Sequence, residues 1–233
     1  MHPDAIKPYA ACQWLCFAVT VRRRPRGHYV GASLGRPSTP VISKERAVRA
    51  ALDVIDTQGI EGLSLALVAQ RLGVKAPSLY YHFHNKAELL EEVARLLLVD
   101  AAVPDIELHP SDWRETLVTL AVEVRRSILR HPAAAPLMLQ FFPRNLLLAA
   151  YDRWISIYEA PPADHMLIIE GVETLTLGSA LFAASYRMRG VEPMPPFEPD
   201  KLPRLARAIR ANHLNEEETF AATLRKFLAA FGA

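Results

Sequence analysis

The sequence predicts an all-α protein, and three observations carry that prediction. From Pro40 onward apolar residues recur at helical spacing almost without interruption. No stretch alternates apolar and polar residues as a half-buried strand would. The periodic runs start at capping residues and stop at glycine or proline. A chain of 233 residues, 51% hydrophobic and 22% charged, accommodates one ordinary domain and a smaller one, each with its own core.

The elements follow in order. Ser43 caps a first helix with Glu45 in its opening turn; Ala47, Val48, Ala51, Leu52 and Ile55 share one face, and Gly59 stops it. Ser64 caps a second helix that runs to Leu72 with Val68, Ala69 and Leu72 inward, and Gly73 supplies a left-handed turn. Pro77 fits the first turn of a third helix, where a missing N–H costs nothing. Asn85 and Glu88 have capping-box spacing and open a fourth helix to about Asp100, carrying Leu89, Leu90, Val93, Ala94 and Leu97. Pro104 to Pro110 reads as a linker.

Ser111 starts a long amphipathic helix to about His131, with Leu117, Leu120, Ala121, Val124 and Ile128 on one face. Pro132, Pro136 and Pro143 punctuate a short helix and a longer one to about Tyr158. After Pro161-Pro162, the run from Asp164 to about Arg189 is the longest and least polar. Gly190 to Pro199 is a proline-rich loop, and a helix from about Lys201 to His213 follows it. Asn215 and Glu218 cap the last helix, striped by Phe220, Leu224, Phe227, Leu228 and Phe231. The expected organisation is a disordered basic tail over 1–40, a small helical domain over 41–101 and a larger one over 105–233.

Charge narrows the function. The net charge of +2 hides an asymmetry: Lys7, Arg22, Arg23, Arg24, Arg26 and Arg36 against Asp4 give residues 1–40 a charge of +5, leaving −3 for the rest. Nucleic-acid binding by the folded part therefore rests on local placement of charge, not bulk attraction. Cys12 and Cys16 lie in the tail with no histidine paired to them, a poor zinc site. Tyr9–Val21 is too short an apolar run to span a bilayer, and its arginines follow it instead of preceding it as in an export signal. The expectation is a cytoplasmic protein with no membrane anchor, no metal and no cofactor. No nucleophile–base pair and no phosphate loop argues for an enzyme.

Residues 63–83 carry the functional signal. The second helix is apolar enough to be held by a core, whereas the third has two unlike sides. Val74, Leu79 and Phe83 face inward; Lys75, Ala76, Pro77, Ser78, Tyr80, Tyr81 and His82 are left for something else. A helix-turn-helix needs this asymmetry, one helix supporting and one presented to a DNA groove. Ser78, Tyr80 and His82 can bond phosphates, and Ala76 and Pro77 can touch thymine methyls. Ser64 sits at a helix start, and Lys86, Lys44 and Arg46 can neutralise phosphates from neighbouring helix starts. The tail arginines are candidates for a minor-groove arm.

Ser43 to Asp100 resembles the DNA-binding domain of the tetracycline-repressor (TetR) family of bacterial regulators. The resemblance is carried by Leu63-Ser64, Val68-Ala69, Leu72-Gly73-Val74, the run Ser78 to Phe83, and the run Asn85 to Leu90. It implies backbone contacts by Tyr80 and Lys86. It also implies a pseudo-palindromic operator, a homodimer and a C-terminal domain that binds a small effector. Tetracycline-responsive members have arginine and glutamine where Ala66 and Ala76 stand here, so a different operator is expected. A magnesium-binding histidine of those members falls near Met138, which argues against a tetracycline–magnesium effector.

Candidate pocket residues are Trp113, Met138, Phe141, Phe142, Tyr151, Trp154, Met166, Glu173, Thr174 and Phe182, suited to a small apolar or amphipathic ligand. Gly171 and Gly178 share a helix face and, with Phe220, Leu224, Phe227, Leu228 and Phe231, are the candidates for dimerisation. The expected function is a ligand-responsive repressor. The alternatives are a dimeric DNA-binding regulator without an effector, or an activator.

Overall fold

The computed structural model describes residues 42–100, 112–156 and 159–231. The tail with its cysteines and arginines, the 104–110 linker, Ser111 and Tyr158 lie outside the described residues. Among the described residues the chain forms ten α-helices and no strand. They are α1 (Lys44–Gly62), α2 (Leu65–Arg71), α3 (Ala76–Tyr80), α4 (Lys86–Val99), α5 (Trp113–Arg130), α6 (Leu137–Gln140), α7 (Arg144–Ile155), α8 (His165–Arg189), α9 (Pro203–Ala211) and α10 (Glu216–Leu228). A 3-10 turn at Pro162–Asp164 leads into α8.

Helix starts are fixed by local chemistry. The Ser43 hydroxyl accepts from the Arg46 amide at 3.2 Å, and the Ser64 hydroxyl from that of Leu67 at 3.1 Å. α1 continues past the expected stop, but its regular winding breaks at Gly59, where φ is +74°. Between α2 and α3, Gly73 turns the chain at φ +69°, and the Val74 amide closes the turn on the Ala69 carbonyl at 3.0 Å. A Cβ at Gly73 would meet nothing within 4 Å, so the left-handed backbone alone requires glycine there.

Two caps differ from expectation. α5 starts from Asp112, whose carboxylate accepts from the Arg114 and Glu115 amides. The expected capping box at α4 is half formed. Asn85 accepts from the Glu88 amide at 2.9 Å, but the Glu88 carboxylate takes the His84 amide and ring instead of returning to Asn85. The box at α10 is complete, Asn215 and Glu218 bonding reciprocally at 2.9 and 2.8 Å.

α1, α2 and α3 close around Val54, Ile55, Val68, Leu79 and Phe83, with Leu89 and Val93 of α4 beneath them. α4 also packs on α5, where the buried Ser127 hydroxyl donates to the Leu97 carbonyl at 2.6 Å. α5 is the centre of the second half and lies against both α8 and α10. Arg114 holds the end of α10 by donating to the Leu228 and Phe231 carbonyls. α9 stands apart, with Ala206 its single buried residue.

Candidate nucleic-acid interface and ligand cavity

The inward and outward sides of α3 separate as the sequence suggests. Leu79 and Phe83 are fully buried, while Tyr80 and Tyr81 are 55% and 67% exposed. Lys75 and Pro77 are exposed beside them, and Ala76, Ser78 and His82 are half-buried. Tyr80 ends the five-residue helix and Tyr81 follows it, its ring meeting that of His82 at a right angle with centroids 5.2 Å apart; exposed aromatic rings with hydroxyls suit a sugar-phosphate backbone. Ser64 and Arg46 are exposed at the starts of α2 and α1.

Three of the candidate contacts already have structural work. The Lys86 ammonium donates to the Ile60 carbonyl at 2.8 Å, tying α4 to the loosened end of α1. The Lys44 ammonium pairs with Glu92 at 2.8 Å and sits 5.6 Å from the Phe83 ring centroid. A His82 ring nitrogen lies 3.0 Å from the Ile42 carbonyl. These groups hold α1, α3 and α4 in register, a role that residue type and spacing do not reveal.

Glu92 is shared, since Arg95 also bonds its carboxylate. Burial pushes this carboxyl up, but the hydrogen bonds from Lys44 and Arg95 outweigh burial and hold it below its ordinary 4.5. A folded-state pKa that is depressed stabilises the fold above the unfolded value, and that contribution is lost as pH falls through the folded one. Glu92→Gln should therefore lose less stability than the wild type when urea unfolding at about pH 6 is compared with about pH 3. Identical losses in the two proteins would show that the Lys44–Glu92–Arg95 link carries no stability.

The second site is a cavity of about 100 Å³ between α4, α5, α7 and α8. Four candidates line it: Phe142, Tyr151, Trp154 and Glu173. The rest of its wall is Leu98 of α4, Leu147 of α7, the α5 residues Leu117, Leu120, Ala121 and Val124, and Val172, Thr176 and Leu177 of α8. The α5 residues had been legible as an inward stripe but not as a cavity wall. The other candidates lie elsewhere. Trp113 and Met138 are buried in the bundle, and Phe141 borders a separate cleft with Glu91 and Arg95. Met166 and Phe182 are exposed on α8, as is Thr174.

The cavity has one polar end. Glu173 accepts from the Tyr151 hydroxyl and, at 2.5 Å, from the Arg144 guanidinium. Burial, then the hydrogen bond to Glu173, drives the Tyr151 hydroxyl pKa well above its ordinary value, so it stays a proton donor. Thr176 donates to the Val172 carbonyl at 2.6 Å. No group of three or more His, Cys, Asp or Glu side chains among the described residues could hold a metal ion.

The dimerisation candidates divide. Phe220, Leu224 and Leu228 are buried within the chain, because the α10 stripe packs on α5 and α8. Phe227 and Phe231 are half-buried and meet edge to face, with centroids 5.1 Å apart. A Cβ on Gly171 would fall 2.1 Å from the Phe227 ring, so the close approach at this glycine is made by the chain itself. At Gly178 a Cβ would meet nothing within 4 Å, and Phe182, one turn on, is 68% exposed.

A three-helix unit with an exposed third helix, joined by a shared fourth helix to a larger bundle with an apolar cavity, has the architecture of a helix-turn-helix unit carried on a helical bundle. The sequence profile of bacterial regulatory proteins of the tetR family matches residues 47–93, from α1 into α4. Over those residues the chain is similar to the DNA-binding domain of that family. The class A tetracycline repressor from Escherichia coli transposon 1721 is 37% identical over 84 residues, 36% of this chain and 39% of that protein. The transcriptional repressor DrrR1 of Streptomyces coeruleorubidus is 35% identical over 107 residues, covering 44% and 37%. The match spans about two fifths of the length of each of these two relatives.

Solved structures extend the likeness to the fold of the whole bundle. SCO7222, a TetR from Streptomyces coelicolor, superposes with a TM-score of 0.66 at 23% identity, over 81% of this chain and 97% of that one. A TetR variant from Acinetobacter baumannii AYE in complex with minocycline gives 0.63 at 23% identity, over 81% and 92%.

Proposed function

We propose that this chain is a cytoplasmic, homodimeric repressor that binds a pseudo-palindromic operator and is released by a small apolar or amphipathic effector, without metal or cofactor. In this reading residues 41–101 are the DNA-binding domain and 105–233 the effector-binding and dimerisation domain. The observation that carries it is the double duty of α4. Its first half holds the DNA-facing unit through Lys86 and Glu92, and Leu98 in its last turn lines the cavity. A ligand that enlarges the cavity pushes on Leu98, and α4 transmits the displacement to α1 and α3. The effector acts only through unequal affinity for the DNA-competent and released arrangements.

Two further polar links brace the same junction. Arg49 of α1 forks onto Asp100 at 3.2 Å, and His131 after α5 meets Asp56 of α1 at 2.6 Å. The outer face of α8, with Met166, Leu167, Gly178 and Phe182, supports the dimer reading, since so much apolar surface is seldom left bare. The segment Pro162–Arg189 is also long and apolar enough to cross a membrane. Its packing on α5 and α10 favours a helix of the dimer instead. Two copies would set their α3 helices about 34 Å apart, one turn of DNA.

The test is fluorescence anisotropy on DNA selected from a random pool. Tyr80→Ala should weaken binding by about tenfold on every sequence, as a lost backbone contact does. Lys75→Ala should reduce the salt slope by about one. Ala76→Gln should change sequence preference without a uniform loss, because this position faces base edges in the docking. Unchanged affinity for Tyr80→Ala would remove α3 from the interface.

A further inference from the structure

The polar end of the cavity discriminates between ligand chemistries, and this inference rests on reading the cavity as the effector site. Both hydroxyls on its wall have spent their protons: Tyr151 donates to Glu173, and Thr176 to the Val172 carbonyl. What these groups leave for an occupant is lone pairs on the Thr176 oxygen and on the Glu173 carboxylate, which has room for about four hydrogen bonds and receives two; the Tyr151 oxygen already faces Arg144. Arg144, the cation that balances Glu173, has a side chain 54% exposed to solvent, so it offers an incoming anion little attraction. All the other wall residues are apolar except the Trp154 indole. An anion entering this space would be desolvated beside a carboxylate of its own sign.

We propose that the cavity takes an apolar molecule carrying one hydrogen-bond donor, a hydroxyl or an amine, which the Glu173 carboxylate receives, and that it rejects carboxylates. Size narrows the class further. Benzene occupies an engineered cavity of about 150 Å³, so a space of about 100 Å³ suits a body of a single ring after a small outward adjustment of the wall. The hydroxyl arm needs no rearrangement of the Glu173–Arg144 pair. The amine arm replaces Arg144 as the cation on Glu173.

The experiment is calorimetric titration of the full chain with four probes that share a phenyl body: ethylbenzene, 2-phenylethanol, 2-phenylethylamine and phenylacetate. The alcohol and the amine should each bind about tenfold tighter than ethylbenzene, the worth of one hydrogen bond, and phenylacetate should bind more weakly than the hydrocarbon. Glu173→Leu should bring the alcohol and the amine down to the level of ethylbenzene. Glu173→Gln, the gentler change, should keep the alcohol and weaken the amine, because the amide still accepts but carries no charge.

Phenylacetate binding as tightly as the alcohol would overturn the inference. So would ethylbenzene matching both donors, no heat from any probe, or Glu173 variants that bind like the wild type. Operator release is scored separately by anisotropy. If the alcohol or amine binds in this order yet leaves operator affinity unchanged, the donor preference stands and the effector reading falls.

Discussion

Glu216→Ala should lower the urea midpoint far more than Arg125→Met, although both remove the same ion pair. Arg125 is only 2% exposed, bonded to Glu216 and, at 2.9 Å, to the Ser179 hydroxyl, with its guanidinium 5.4 Å from the Phe220 ring centroid. Glu216 is 48% exposed and has a second partner in Arg187 at 3.2 Å. Removing the carboxylate leaves a buried cation bonded only to a hydroxyl, against a ring face, with the Glu217 carboxylate acting on it from farther off. Breaking a buried pair in this way costs about 3–5 kcal/mol, and solvent near the half-exposed Glu216 discounts that to about 2–3 kcal/mol. Arg125→Met removes the buried charge itself, leaves Glu216 to Arg187 and water, and fills much of the same space, so the loss should be under about 1.5 kcal/mol. Equal losses, or a larger one for Arg125→Met, would mean that the pair stabilises through direct attraction and not through the cost of an orphaned charge. The comparison matters for α10, because Glu216 sits in its first turn and Arg126 forks onto the neighbouring Glu217.

How much of this was legible in the sequence depends on how local the cause is. Ser43, Ser64, Asn85 and Asn215 cap the helices that spacing assigns to them, since a cap needs only its own next three residues. The start of α5 differs by one position because Ser111 and Asp112 are both cap residues and spacing does not choose between them. Glu88 has capping-box spacing from Asn85, yet His84 presents an amide and a ring to the same carboxylate, a competition that spacing does not encode.

Periodicity is equally blunt about partners. The stripe Phe220, Leu224 and Leu228 was legible as a buried face, but burial against α5 and burial against a second copy produce the same pattern. In the cavity, aromatic character singled out Phe142, Tyr151 and Trp154 together with Trp113, Phe141 and Phe182, which lie elsewhere. Aromatic type reports that a residue is apolar. Position comes from which helices converge, and the informative signal was the face of α5 holding Leu117, Leu120, Ala121 and Val124.

Gly171→Ala and Gly178→Ala should shift stability in opposite directions, and the difference separates packing within the chain from packing between copies. In a helix interior, alanine replaces glycine with a gain of about 1 kcal/mol. At Gly178 nothing within 4 Å opposes that gain, so the unassociated chain should become more stable by up to about 1 kcal/mol. At Gly171 the new methyl would lie 2.1 Å from the Phe227 ring. The ring must leave its seat on α8 and its edge-to-face contact with Phe231, and so severe an overlap places the overpacking cost at about 2–3 kcal/mol, which exceeds the helical gain. Urea unfolding at low concentration reads these effects without association. Sedimentation equilibrium then reads the dimer: a helix of a second copy lying against Gly178 and Phe182 would be pushed away by the methyl, and Gly178→Ala should weaken association as it stabilises the chain. If the proposed dimer forms through this face of α8, Phe182→Glu should go further and weaken dimerisation by at least about a hundredfold, because a carboxylate would replace an exposed aromatic ring in the contact. A Phe182→Glu chain that dimerises as well as the wild type would place the contact between copies on another face of the bundle.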